Sequence, residues 1–224
     1  TPVIADKDET ICSGETFTIQ PVDNSPTEIV PNGVTYQWSD PVSNPQGAII
    51  GGFDSASHNS ISQTLINTTD YPATLTYTVV PEFEDTFGPQ ICEGNAFEVV
   101  ITVNPTVSVD AIPDQVLCNG DNTLAVDFAS SIEEADPVQD SGEISYSWTN
   151  DNTDIGLAAS GTGNIPSFTT TNSTTAPITA NITVSSVYAY NNISCEGESE
   201  TFSITVNPSP QVNFSEDEQF ITSG

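Results

Sequence analysis

Four cysteines, one histidine and 31 carboxylates are the chemically capable side chains of this 224-residue chain. Cys12, Cys92, Cys118 and Cys195 admit three complete pairings. None belongs to a CxxC motif and none has a histidine beside it, so the residues give no support to a thiolate metal site or a catalytic thiol. Cys12 stands in TICSGETFTI (10–19) and Cys118 in VLCNGDNTLAV (116–126), while Cys92 and Cys195 each open the triplet CEG. These are two matched pairs of stations. They predict one disulfide in each half, Cys12–Cys92 and Cys118–Cys195, tying an N-terminal edge strand to the start of a last strand. Closing a loop of about 80 residues stabilises by roughly 4–5 kcal/mol in the chain-entropy picture. Such bonds imply an oxidising, extracytoplasmic setting.

The lone histidine, His58, lies in the Ser-rich stretch DSASHNS (54–60) and has no counterpart in the second half. Asp54, Ser55 and His58 are neighbours in one loop, whereas the members of a catalytic triad converge from separate elements. HExxH, GxSxG and P-loop motifs are all missing, so no enzyme chemistry is expected and no cofactor is required.

The carboxylates face a single cation, Lys7, for a net charge of −30. A chain so acidic has no cationic surface for nucleic acid or anionic lipid, and no run reaches the ~20 apolar residues of a membrane helix. Its natural ionic partner is a cation, and calcium is the expected one. The candidate ligands are Glu133, Glu134, Asp136 and Asp140, followed by Glu143; Glu82, Glu84 and Asp85 form a smaller group before Cys92. No stretch has EF-hand spacing, and solvated loop charge is the simpler reading of both groups. EFEDTF (82–87) and VYAYNN (187–192) set Phe83, Phe87, Tyr188 and Tyr190 among polar residues, where aromatic faces would stack on sugars of a surface polysaccharide or host glycan. Inward packing of half of each set is the alternative. The sequons at Asn67, Asn172, Asn181, Asn192 and Asn213 carry little weight in so Ser/Thr-rich a chain.

The elements that must position these residues come in duplicate. ITVNP occupies 101–105 and returns at 204–208; VTYQW (34–38) answers ISYSW (144–148); LINTTDYPATLTYTVV (65–80) answers TTNSTTAPITANITVS (170–185). The landmarks recur in one order about 105 residues apart, the mark of a tandem repeat. The tail NFSEDEQFITSG (213–224) aligns with VIADKDETICSG (3–14), placing Thr222 at the station of Cys12. The expected division is a first repeat over 1–105, a second over 106–208, and the first strand of a third repeat or a C-terminal extension over 209–224. With no signal peptide and an opening at TPVIAD, the chain reads as a piece of a longer secreted protein.

Within each copy the apolar period is two. Leu75, Tyr77 and Val79 alternate with threonines, as do Ala180, Ile182 and Val184 with Thr179, Asn181 and Thr183; Val99, Ile101 and Val103 answer Phe202, Ile204 and Val206. Ser13-Gly14 and Asn119-Gly120 read as turns, and Trp38 and Trp148 as core anchors. This predicts an all-β chain of tandem immunoglobulin-like sandwiches arranged end to end. ITVNP itself reads as the last strand of a module, stopped by Pro, with TVSVD (106–110) as the first strand of the next.

The ordered series TICSGETFTI, VTYQW, SISQTLINTTDYPATLTYTVVP and ETFSITVNPSP resembles the PKD-like repeats of Bacteroidetes surface proteins. It is nearest to the repeats of very large SprB-type gliding-motility adhesins and related type IX-secreted proteins, and it covers essentially the whole chain. The loops at 21–33 and 129–143 are longer than in a compact module of that kind, and WDFGD is missing, so no site residue is carried over. The resemblance implies a non-catalytic stalk or adhesive segment at the outer cell surface of a bacterium, with neighbouring repeats of the same polypeptide as its partners. A carbohydrate- or host-glycan-binding module is the alternative.

Overall fold

The computed structural model describes residues 1–84, 91–132 and 142–211. The first copy of the repeat supplies β1 (Lys7–Cys12), β2 (Thr16–Ile19), β3 (Thr35–Trp38), β4 (Val42–Asn44), β5 (Ile49–Ile50), β6 (Ser55–His58), β7 (Ile61–Thr64), β8 (Ile66–Asn67), β9 (Ala73–Glu84), β10 (Ile91–Glu93) and β11 (Phe97–Asn104). The second supplies β12 (Gln115–Cys118), β13 (Glu143–Asn150), β14 (Ser160–Thr162), β15 (Ile178–Tyr190), β16 (Ile193–Glu196) and β17 (Glu200–Asn207). A single 3-10 turn, Thr153–Ile155, is the one helical element among the described residues. The protein is all-β and sandwich-like.

One main sheet runs β1-β11-β9-β3-β6, with β10 and β4 also on β9; the other runs β12-β17-β15-β13-β14, with β16 on β15. Two small pairs, β2-β7 and β5-β8, complete the set. In both main sheets the first strand lies parallel to the last: Cys12 stands opposite Asn104 and Cys118 opposite Asn207. The other ladders of the first sheet are antiparallel, such as Phe97↔Val79 through Val103↔Ala73. The chain gathers into two compact units, one of residues 1–110, 128–146 and 185–200, the other of 111–127, 147–184 and 201–224.

The strands form where β-branched and aromatic residues alternate with Thr, Ser and Asn, because such chains fit a pleated surface with one wet face. In the first unit Leu75, Tyr77, Val79, Val99, Ile101 and Val103 are buried with Phe17, Tyr36, Trp38, Ile61 and Leu65 in one cluster. In the second, Ala180, Ile182, Val184, Phe202, Ile204 and Val206 are buried, as are Trp148, Ile155 and Ile165. Removing each of the larger side chains from water contributes about 1.5–3 kcal/mol. Both tryptophans are core residues, as the sequence predicts. The turns at Gly14 and Gly120 have φ of 89° and 93°, a left-handed conformation that glycine adopts without steric cost.

ITVNP behaves as expected up to its end: β11 stops at Asn104 and β17 at Asn207, each just before Pro. TVSVD forms no strand of its own. Val109 makes an isolated bridge to Ser130, as Val3 does to Ile29, and the first laddered strand of the second copy begins only at Gln115.

Candidate functional site

The chemistry of the molecule concentrates where Cys12 ends β1. Cys12 is joined by a disulfide to Cys195, with the Cα atoms 5.5 Å apart. Both cysteines are buried and share a small cluster with Val107, Ile132 and Tyr188, against which Ile144, Tyr190 and Ile193 pack. All of these residues belong to the first compact unit. Polar contacts hem the cluster in: Asn104, fully buried, donates from Nδ2 to the carbonyl of Tyr190 at 3.2 Å, and Ser186 Oγ donates to the carbonyl of Val107 at 2.9 Å.

The pairings expected within each copy, Cys12–Cys92 and Cys118–Cys195, do not form; Cys92 and Cys118 are free and exposed. The parallel edge strand is the reason. Cys12 lies beside Asn104, next to the level of Ala73 on β9, whereas Cys92 lies beside Phe83 near the other end of that strand. At about 3.3 Å per residue, Ala73 and Phe83 are roughly 33 Å apart along β9. A disulfide needs Cα atoms within about 7 Å. The two cysteines of a copy therefore sit at opposite poles, and the bond runs instead from the closing pole of copy one to the opening pole of copy two.

Each bonded station has an unbonded twin built the same way. Cys12 N–H donates to Glu15 Oε2 at 2.9 Å and Ser13 N–H to the Asn104 carbonyl at 2.9 Å. Cys118 N–H donates to Asp121 Oδ2 at 3.1 Å and Asn119 N–H to the Asn207 carbonyl at 2.8 Å. At the other pole, Cys195 is laddered to Tyr188 as Cys92 is to Phe83. The glycine of each CEG triplet explains why that motif is repeated. Gly197 N–H donates to Ser186 O at 3.0 Å and Gly94 N–H to Pro81 O at 2.8 Å. A Cβ on Gly197 would overlap the carbonyl of Val107, and one on Gly94 would come within 2.8 Å of the carbonyl of Pro2. Each glycine is the seat on which the incoming chain rests.

Of the predicted glycan-stacking aromatics, Tyr188 is 1% exposed and lies in the disulfide cluster rather than on a loop surface. Its hydroxyl accepts from Gly142 N–H at 2.7 Å. Tyr190 is half-buried against the same cluster, and Phe83 is half-buried against the core of the first unit. Phe87 and the predicted calcium ligands Glu133, Glu134, Asp136 and Asp140 lie outside the described residues. Among the described residues, no three or more His, Cys, Asp or Glu side chains are grouped to hold a metal. His58 is exposed on β6, opposite Tyr36, and its ring centroid lies 5.8 Å from that of Trp38.

Several carboxylates that the sequence presents as free charge instead receive backbone N–H groups. Glu98 N–H donates to Asp6 Oδ1 at 2.7 Å, and Ser203 N–H donates to Asp114 Oδ1 at 2.6 Å. That bond holds the Asp114 carboxyl below its ordinary range. Asn181 donates from its side chain and its backbone to Asp151, with the same effect on that carboxyl. Lys7 pairs with Glu28, whose carboxyl is lowered by that hydrogen bond and then by the N–H of Ala5.

Two sequon asparagines turn out to be structural. Asn67 Nδ2 donates to Tyr71 O at 2.8 Å and Val103 O at 2.7 Å; Asn172 Nδ2 donates to Ala176 O at 2.9 Å and Val206 O at 2.7 Å. Both are buried, and their Oδ1 atoms accept from Thr69 and Thr174, the third residue of each sequon. Their appearance at equivalent places in both copies was the signal available in the sequence.

A family model described as a PKD-like domain matches residues 9–107, which are most of the first copy. Among solved structures, the fibronectin(III)-like modules of CbhA from Clostridium thermocellum are similar, with 12% identity, a TM-score of 0.31, and 96% of this chain and 98% of that chain covered. Human mucin-like protocadherin EC1-2 is similar at 11% identity and a TM-score of 0.29, with 93% and 99% covered. No curated protein matches the chain in sequence.

Proposed function

We propose that this chain is a non-catalytic repeat segment of a secreted cell-surface adhesin, acting as an extracellular stalk that transmits tension and resists extension. The observation that carries this reading is the disulfide from Cys12 to Cys195, which spans 183 residues of sequence. Tension applied to the two ends passes through that bond and bypasses nearly all of both repeats. The bond also fits an oxidising compartment, and the surplus of carboxylates keeps neighbouring filaments apart. The likeness of the sequence to gliding-motility adhesin repeats extends the proposal to the outer surface of a bacterium, with surface attachment or gliding as the setting. No helix among the described residues is long and apolar enough to cross a membrane. Calcium binding by the 133–140 carboxylates forms no part of the proposal.

Single-molecule stretching of the whole chain from its ends tests it. Without reductant the covalent loop should stay closed. With reductant, the stretch between the two cysteines, a sequence separation of 183, should add roughly 640 Å of contour length at about 3.5 Å per residue step. Equal contour lengths in the two conditions would remove the mechanical reading.

A further inference from the structure

The two free cysteines occupy the stations that correspond to the two halves of the Cys12–Cys195 bond. Cys118 repeats the station of Cys12, down to the acidic side chain that accepts its N–H and the strand-end asparagine opposite it. Cys92 repeats the station of Cys195, down to the aromatic residue it faces and the glycine that follows. What differs is cover. Cys12, Asn104, Tyr188 and Cys195 are all buried, whereas their counterparts are not: Cys118 and Cys92 are exposed, and Asn207 and Phe83 are half-buried. Apolar side chains near both cysteines in sequence are left in solvent: Ile91, next to Cys92, is 64% exposed, and Val116, two residues before Cys118 in β12, is 70% exposed. Two accessible thiols on a protein of an oxidising compartment point to pairing outside the chain.

We infer that Cys118 and Cys92 form an inter-repeat disulfide of the same kind as Cys12–Cys195: the first-strand cysteine of one repeat bonds to the CEG cysteine of the repeat that follows it. The partner of Cys118 is therefore the opening pole of another repeat of this type, and the partner of Cys92 is the closing pole of one. A second copy of this chain presents both. The bond forms by thiol–disulfide exchange with a small disulfide oxidant such as oxidised glutathione. The Cys118 thiolate attacks the oxidant, releasing one thiolate and leaving a mixed disulfide; the Cys92 thiolate then attacks the Cys118 sulfur and releases the second. Two protein thiols are oxidised, one small disulfide is reduced to two thiols, and the two protons lost by the protein thiols end, by way of water, on the released small thiolates. This goes beyond the stalk reading and rests on it only for the oxidising compartment, since a spacer in any other secreted protein would carry the same rungs.

The test uses the full chain in two variants, Cys92→Ser and Cys118→Ser. Both positions are exposed, so neither change disturbs the core. In a glutathione redox buffer each variant alone should stay monomeric on a non-reducing gel. Their mixture should give a reductant-sensitive dimer, about tenfold over either homodimer, a ratio that a little over one kilocalorie of docking preference confers. Digestion at acidic residues should recover a Cys92–Cys118 cross-linked peptide from the wild-type chain, because Lys7 is the only tryptic site. Homodimers as abundant as the mixed dimer would mean adventitious surface thiols and would overturn the inference, and so would the absence of any mixed dimer.

Discussion

The two copies bury their tryptophans at the same station but treat the indole N–H differently. In copy one, Trp38 Nε1 donates to the carbonyl of Phe53 at 2.9 Å, and that carbonyl also accepts from Gln63 Nε2 at 2.8 Å. Gln63 Oε1 in turn accepts from the hydroxyl of Tyr77 at 2.8 Å and from Phe53 N–H at 3.2 Å. Burial pushes the Tyr77 hydroxyl well above its ordinary pKa, so it stays a donor. In copy two the aligned residues are Ile182 and Phe168, which offer nothing polar. Trp148 Nε1 is buried without a hydrogen-bond partner, and the carbonyl of Ala158, which aligns with Phe53, accepts instead from Asn150 Nδ2 at 3.2 Å. The indole instead lies against Gly161, where a Cβ would collide with it. Repetition has kept the pattern of burial and let the polar wiring drift. A volume must be filled in both copies, whereas a buried hydrogen bond survives only if both partners do.

The glycine seats give the largest test of how far the copies are equivalent. Gly197→Ala should cost about 3 kcal/mol, because the carbonyl of Val107 is held by Ser186 Oγ and has nowhere to go. Gly94→Ala should cost less, about 1–2 kcal/mol, since its Cβ would come within 2.8 Å of the Pro2 carbonyl and the Pro81 ring, which must shift, against outright overlap with the Val107 carbonyl at Gly197. Urea denaturation of both variants measures the gap, and equal costs would break the distinction. A smaller effect comes from the tryptophans. Trp38→Phe abandons a made hydrogen bond and Trp148→Phe deletes an unmade one, so the second should be milder by about 1 kcal/mol in the same assay.

The smallest effect belongs to Lys7–Glu28, for which copy two has no counterpart because the chain has no second cation. The folded protein holds the Glu28 carboxyl below its ordinary range, so its contribution is complete above the unfolded-state value of about 4.3 and disappears as pH falls through the depressed value. The stability difference between wild type and Glu28→Gln should accordingly be present at neutral pH and gone in acid. A difference that persists at pH 2, or that grows on acidification, would show that the residue acts through packing instead.

Much of the fold is legible in the residues because strand chemistry is local. The alternation of Val, Ile and Leu with Thr marks the inward faces of β9, β11, β15 and β17. Asn-Pro marks where the last strands stop, since Pro cannot donate to a ladder. Ser-Gly and Asn-Gly mark the turns after the first strands, and the repeat shows that whatever holds for one copy has a twin in the other. The sequence by itself thus determined the long strands and their inward faces, and that Cys12 and Cys118 are one kind of cysteine while Cys92 and Cys195 are another; it did not determine that TVSVD forms no strand or that Tyr188 is buried. It could not determine which kind bonds to which. That was decided by the parallel pairing of β1 with β11, which carries Cys12 to the opposite pole from Cys92. Alternation has the same period in parallel and antiparallel strands, so the direction of pairing leaves no trace in the residue pattern. Only the packed sheet shows that the disulfide joins one repeat to the next.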